Sequence, residues 1–281
     1  MPKTTHIELS REVRIPILYE DRSILAIDKP AGWMLVPVSW QKTSWNLQAA
    51  LMSSIHEGQF WARSRNIKYL KYIHRLDAET TGIMLFAKSQ GALHAFEEMF
   101  ETRRMEKVYL AVTDREPKEQ QWTCQLSLAP DPQNIGRIVV DPEGKPTETA
   151  FRVLASSHGR HLIEARPYTG RTHQIRVHLA QADCPIIGDE LYGEDADDMA
   201  LRAVGLAFRD PFTRKPVFIR APVEEFLKPY GISGANYRVR FESLPPPGPE
   251  ERGGSGGKAA QKNLPHAKGA KDAKGTGTKP G

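Results

Sequence analysis

The side chain most open to chemistry in this 281-residue chain is Asp77, set in a polar turn within YIHRLDAETTGIMLFAKS, residues 72–89, with His74 and Arg75 beside it. A carboxylate in a connection between two apolar segments is presented rather than packed, and can serve as a nucleophile or a charge partner. A second run, RPYTGRTHQIRVHLA at 166–180, gathers Arg166, Arg171, Arg176, His173 and His178. One acidic group facing a field of cations points to acid chemistry on an anionic substrate. The plainer readings are that Asp77 bonds nearby backbone amides as a turn residue and that Arg176 is a solvated helix charge. It is the company of the two runs that favours chemistry.

The elements that must hold these groups follow from periodicity. Ile83 to Ala87 is an apolar run of strand length behind Gly82 and the polar Glu79, Thr80 and Thr81, so Asp77 falls in the connection leading into a strand. In the second run Ile175 and Leu179 lie four apart on one helix face, Thr172 is the expected N-cap, and the helix ends near Asp183 and Pro185. Arg176 flanks that face, and an arginine reaching inward beside a carboxylate favours its ionised form. Arg171 stands just ahead of the cap, near amides that attract phosphate.

Elsewhere, IPILYED and SILAIDKP read as strands, Leu47, Ala50, Leu51 and Ile55 as one helical stripe, and Leu93, Phe96 and Phe100 as another behind a cap at Ser89. Segments 107–113, 137–141, 147–155 and 160–166 read as further strands. In KVYLAV, Val108, Leu110 and Val112 share one face, and Tyr109 shares the other with Ala111. Strands outnumber helices without a regular βαβ alternation, which indicates an α+β fold. His173 and His178 are five residues apart, poor spacing for one helical face, and no HExxH occurs, so no metal site is expected.

Composition narrows the class. The formal charge is +5, but residues 246–281 carry seven Lys or Arg against three acids, leaving only +1 for the rest. Bulk charge therefore does not announce a nucleic-acid partner. Local clusters are the candidates: Arg63 with Arg65 and Lys68, Arg103 with Arg104 and Lys107, and Arg166 with Arg171, each also readable as solvated surface. Two distant cysteines suggest neither a disulfide framework nor a zinc cluster. With no apolar stretch of membrane-spanning length and no cleavage pattern at the N-terminus, a cytoplasmic protein without membrane attachment is the default expectation.

HRLDAETTG resembles the catalytic motif of the RluA-type pseudouridine synthases, and four more pieces match in order: AIDKPAGW at 26–33, EKVYLAV at 106–112, TGRTHQIRVHLA at 169–180 and PIIGDELYG at 185–193. The similarity runs from about Leu18 to about Pro222, and five collinear motifs are far more specific than one. The resemblance implies that Asp77 is the aspartate attacking the target uridine, so that the bond from ribose C1′ to uracil N1 breaks and the uracil is rejoined through C5. It implies that Tyr109 stacks on the base and helps remove the C5 proton, that Arg176 pairs with the aspartate, and that Arg75 occupies space near the extruded nucleotide. Ile175 corresponds to an apolar wall of the pocket. His74, Arg171 and His173 belong to the matched motifs as substrate-side residues, the histidines orienting loops.

The implied fold is a mixed, mainly antiparallel sheet in two subdomains with a central cleft, and the implied partner is RNA, a ribosomal or transfer RNA stem-loop, bound by a monomer with no protein partner. Residues 1–17 then form an N-terminal extension, 18–244 the catalytic domain, and 245–281 a Gly/Pro/Lys-rich tail whose composition predicts disorder, either a loose tether to RNA or a solubilising extension. Three departures stand out. Thr81 occupies a position where the family more often has Ser, Val204 and Gly205 replace a usual Leu-His pair, and residues 33–70 match poorly. Two other classes stay open: a binding protein that has lost turnover, and a hydrolase using the same carboxylate on a glycosidic bond.

Overall fold

The first strand, β1 (His6–Glu8), pairs antiparallel with β2 (Arg14–Glu20), which turns into β3 (Ile24–Lys29). Asp21 makes that turn by accepting the amides of Ser23 and Ile24 at 2.7 and 2.8 Å. Ile7 and Ile15, both inside the expected N-terminal extension, are fully buried. The computed structural model describes residues 3–9, 13–35, 45–194, 198–234 and 237–242, all within one compact unit. The tail expected from 245 onward lies outside the described residues, as does part of the poorly matching segment 33–70.

Helices α1 (Leu47–His56) and α2 (Phe60–Arg63) follow, then β4 (Lys71–Tyr72) and β5 (Thr81–Ala87). The run Ile83 to Ala87 lacks alternation because both faces of β5 are covered. Met84 and Phe86 pack with Leu47, Leu51 and Trp61, while Ile83 and Leu85 pack with Leu93, Phe96 and Met99 of α3 (Gln90–Glu101). Ser89 caps α3 by accepting the Ala92 amide at 3.2 Å.

The second half contributes β6 (Met105–Thr113), β7 (Gln121–Pro130), β8 (Ile138–Val140), β9 (Lys145–Ser157) and β10 (Arg160–Pro167), then α4 (Gln174–Gln181), β11 (Leu201–Arg209), β12 (Pro216–Arg220) and α5 (Glu224–Leu227). Ile175 and Leu179 of α4 pack on Leu110, Ile163 and Leu201. One mixed sheet results, in the order β1-β2-β3-β5-β11-β6-β10-β9-β7-β8, with β4 on β5 and β12 on β11. Among these pairings only β5 with β11 is parallel.

That parallel contact joins the two halves, and it requires Gly82. Gly82 has φ +105°, and a Cβ there would stand 2.1 Å from the Ala203 carbonyl oxygen. Asp77 lies five residues upstream, so its loop is delivered to the seam between the halves. Gly205 has a similar reason: a Cβ would meet Val239 at 2.5 Å and Val108 at 3.1 Å, so the departure from Leu-His accommodates the segment Tyr237–Glu242 packed over β11.

Candidate active site

The loop between β4 and β5 is pinned just after Asp77 by a buried ammonium. Lys29, at the end of β3, is fully buried and donates to the carbonyls of Pro30, Ala78 and Thr80 at 3.0, 2.6 and 2.9 Å. Three donors meeting three carbonyls is an arrangement that neither Met nor Gln reproduces. Burial lowers the Lys29 pKa to about 8, against the pull of Glu79 and Asp77. His74 fixes the same loop from the other side, accepting the Leu85 amide at 3.2 Å and stacking on Phe100 at 4.7 Å.

Asp77 meets α4 through Arg176. The guanidinium reaches Asp77 Oδ2 at 3.3 Å through Nη1, and gives its other edge to Asp189, with Nε to Oδ2 at 2.8 Å and Nη2 to Oδ1 at 2.7 Å. Asp189 is fully buried and also accepts the amides of Leu191 and Tyr192 at 3.1 and 3.2 Å. Burial works against the Arg176 charge, but Asp189 and Asp77 outweigh it and raise its pKa. The arginine is therefore a fixed bridge between a buried carboxylate that orients it and a half-open one that faces the cleft.

The second oxygen of Asp77 faces His173, with Nε2 3.9 Å from Oδ1. Tyr109 of β6 lines the same cleft. Burial and then the Asp77 charge push its phenol pKa well above the ordinary value, so it is neutral at physiological pH. Ile175 lies on the cleft wall, and the space enclosed is about 620 Å³, in the range that holds a nucleotide-sized ligand. Exposed Arg75 and Arg171 stand at its rim with Arg103, and Lys107 donates to the Thr169 carbonyl at 2.8 Å, its pKa lowered to about 8 by burial and the nearby Arg103 charge.

Two expectations need correction. Thr172 is not the N-cap of α4: His173 holds that position in a left-handed conformation, φ 54°, with no side-chain cap bond. The capping work passes to Gln174, whose Oε1 accepts from the Arg171 amide at 3.0 Å and the Thr169 hydroxyl at 2.7 Å, while Nε2 donates to the Glu148 carbonyl and the Thr149 hydroxyl. The charge clusters hold only in part. The Arg65 side chain is 3% exposed and pairs with Glu20, Arg104 is held by Glu98, and Arg166 lies buried among Glu164 and Glu106. In their place the fold draws Arg75, Arg103, Lys107 and Arg171 from three segments to one cleft.

Sequence reasoning assigned no role to Lys29, Gln174, Asp189 or Tyr192. All four sit inside matched motifs, and for Lys29, Asp189 and Tyr192 the signal was present as a polar residue within an apolar stretch. Nothing in the spacing of Gln174 from Glu148 could have disclosed its part.

Two buried imidazoles make stability depend on pH. His74 and His178 both have pKa values lowered to about 4, His74 by burial and then the Lys107 charge, His178 by burial alone. The folded values lie below the unfolded value of about 6.5, so the unfolded chain binds the extra protons. Stability is then retained above about pH 6.5 and lost as pH falls toward 4, with a slope of about 1.4 kcal/mol per pH unit for each histidine. Denaturant midpoints measured between pH 7 and 4.5 should fall accordingly, and His178→Gln should flatten the decline by about half.

Residues 23–181, more than half of the chain, match the family described as RNA pseudouridylate synthase. The chain belongs to that family. It is 34% identical over 244 residues to ribosomal large subunit pseudouridine synthase C of Haemophilus ducreyi, covering 81% of this chain and 71% of the relative. It is likewise 34% identical over 237 residues to the protein of that name from Escherichia coli K12, covering 79% and 71%. Human RNA Pseudouridylate Synthase Domain Containing 4 shares the fold, with a TM-score of 0.60 at 23% identity over 73% of this chain and 87% of that one. The chain is thus an isomerase of the RNA pseudouridylate synthases, built on a mixed, mainly antiparallel sheet, and its substrate is RNA. Among the described residues, no helix is long and apolar enough to cross a membrane.

Proposed function

We propose that this RNA pseudouridylate synthase modifies uridine in ribosomal RNA of the large subunit, with Asp77 as the nucleophile. The observation that carries the reading is the meeting of Asp77 with Arg176 at 3.3 Å in a nucleotide-sized cleft that Tyr109 also lines. The relatives named for the large ribosomal subunit supply the RNA class.

Reaching C1′ and C5 requires the nucleotide to leave its stack, at a cost of a few kcal/mol that is least in loops. Arg75, exposed at the cleft rim, fills the vacated space. An Asp77 oxygen then bonds to C1′ as the C1′–N1 pair departs onto the uracil, much as a retaining glycosidase carboxylate displaces its leaving group. The uracil turns against Ile175 and Tyr109, C5 bonds to C1′ as the Asp77 ester opens, and the C5 proton is removed while N1 gains one. The neutral phenol of Tyr109 takes that proton only by handing its own onward, and Asp77, freed in the same step, is the adjacent acceptor; it gives the proton up to solvent as solvent protonates N1, which restores the carboxylate. Every electron pair comes from the nucleotide or Asp77, so the scheme calls for no cofactor. The protein acts as a monomer in the cytoplasm on this reading, and the lysine-bearing residues 245–281 are an electrostatic tether.

The test is incubation with large-subunit ribosomal RNA carrying tritium at uridine C5, taken from cells lacking this protein, followed by mapping of the modified position. Tritium release at one or a few uridines is expected; release of free uracil would instead mark a hydrolase, and no release would mark a binding protein.

The rim cations give a separate prediction. Arg103→Ala and Arg171→Ala should each weaken RNA binding and lower the slope of log K against log salt by about 0.7 to 1. Filter binding between about 50 and 300 mM salt measures this, and an unchanged slope would remove that arginine from the RNA contact.

A further inference from the structure

The motif PIIGDELYG brings a second arm to Asp77 that the nucleophile scheme leaves unused. Asp189, at its centre, orients Arg176, and Tyr192, three residues on, contacts His173. One short turn therefore touches both groups that face the two Asp77 oxygens. Tyr192 itself is held: its hydroxyl accepts the Ile138 amide at 2.8 Å, and its ring lies under the guanidinium groups of Arg176 and Arg137 at 5.3 and 5.4 Å.

The hydrogen-bond arithmetic sets the state of His173. Besides accepting from Ile138, the Tyr192 hydroxyl has one hydrogen to place, and among the described contacts its acceptor is His173 Nδ1, 2.9 Å away. Nδ1 is then the acceptor, and the ring proton sits on Nε2, which faces Asp77 Oδ1 at 3.9 Å. That gap is too long for a hydrogen bond, so Oδ1 keeps its lone pairs while Arg176 occupies Oδ2. His173 reaches this place through a left-handed backbone that a non-glycine residue adopts at a cost of about 1 to 2 kcal/mol, the kind of local strain found where a side chain must be aimed.

We propose that Tyr192 and His173 form a hydroxyl–imidazole pair that positions Asp77, keeping a neutral N–H turned toward Oδ1 so that this oxygen stays free to attack. The proposal rests on the reading of Asp77 as nucleophile. Were His173 to take a second proton, the gap would close into an ion pair and tie up the attacking oxygen. The fold guards against that. Burial holds the imidazole pKa below its ordinary value against the attraction of Asp77; the cations Arg176 and Arg75 push the same way as burial, and Asp189 opposes them. The Tyr192 hydrogen adds to this, because a donor bound to Nδ1 stabilises the neutral ring.

The experiment is single-turnover pseudouridine formation from about pH 5 to 9, on large-subunit ribosomal RNA from cells lacking the protein, with enzyme saturating. Tyr192→Phe keeps the ring under both guanidinium groups and removes only the hydroxyl. It should move the acid limb up by about half to one pH unit, lower the rate at pH 7 by up to about 3-fold as a result, and leave the RNA Kd within about twofold. His173→Ala should lose that limb, and adding Tyr192→Phe to His173→Ala should cost nothing further.

An acid limb that stays in place in Tyr192→Phe would overturn the proposal. So would losses that multiply in the double variant, because Tyr192 would then act elsewhere. Asp77→Asn, run beside them, separates the two readings. If it is inactive while Tyr192→Phe and His173→Ala match the parent, only the positioning pair fails. If it is active, the nucleophile reading itself fails, and the pair fails with it.

Discussion

Asp77→Asn is expected to lower the single-turnover rate by at least about 10⁴-fold, in line with the loss of a catalytic nucleophile elsewhere. The substitution is nearly isosteric, and the reason it should be clean lies in what surrounds it. Arg176 keeps its two bonds to Asp189, so removing the Asp77 charge strands no buried cation. The loop keeps its two bonds from Lys29, to the Ala78 and Thr80 carbonyls, neither of which involves the Asp77 side chain. Folding should therefore be preserved, with RNA affinity within about threefold of the parent, since the rim cations are untouched. Tritium release measured with freshly purified protein checks the rate, because slow deamidation of the introduced asparagine would restore the parent residue. Turnover above about one part in a hundred of the parent rate would transfer the nucleophile to another group.

Much of this site was legible because the motifs carry local signals. Asp77 could be placed in a connection because Gly82 and the polar residues before it interrupt two apolar runs. Arg176 could be placed beside an apolar helix face because Ile175 and Leu179 keep helical spacing. The stripes behind α1 and α3 emerged the same way, and Ser89 caps α3 as its position suggests. These are arguments over a few residues, where propensity and periodicity act directly.

What was hidden depends on long-range pairing. Asp189 meets Arg176 because β10 and the turn at 185–193 pack around α4, and no local pattern reports a bond spanning thirteen residues across a turn. Lys29 reaches Ala78 and Thr80, about fifty residues on, only because β3 lies beside β5. Basic clusters held only in part, for the converse reason. Adjacency along the chain says nothing of which face a residue takes, so Arg65 and Arg166 turned inward to Glu20 and Glu164 while Arg103 and Arg171 stayed at the cleft. Thr172 has the composition of a cap but lost the role to a left-handed His173, since Gln174 satisfies the preceding loop from inside the helix.

Arg176→Ala should be the most destabilising single change in the site as well as a severe catalytic lesion, and the two effects can be separated. Asp189 is fully buried, and without the guanidinium it keeps only the Leu191 and Tyr192 amides. A buried ion pair broken on one side costs about 3–5 kcal/mol, because the remaining charge is left uncompensated. Pairing Arg176→Ala with Asp189→Asn removes that stranded charge, so most of the lost stability should return. Activity should not return with it, since Asp77 would still face the cleft without its cation. Arg176→Lys tests the geometry rather than the charge: a single ammonium cannot take both Asp189 oxygens and still reach Asp77, so this variant should fold well and react slowly. Urea midpoints alongside single-turnover rates measure both quantities. If the double variant regained its rate together with its stability, Arg176 would matter only as the partner that neutralises Asp189, and the bridge to Asp77 would have no part in the reaction.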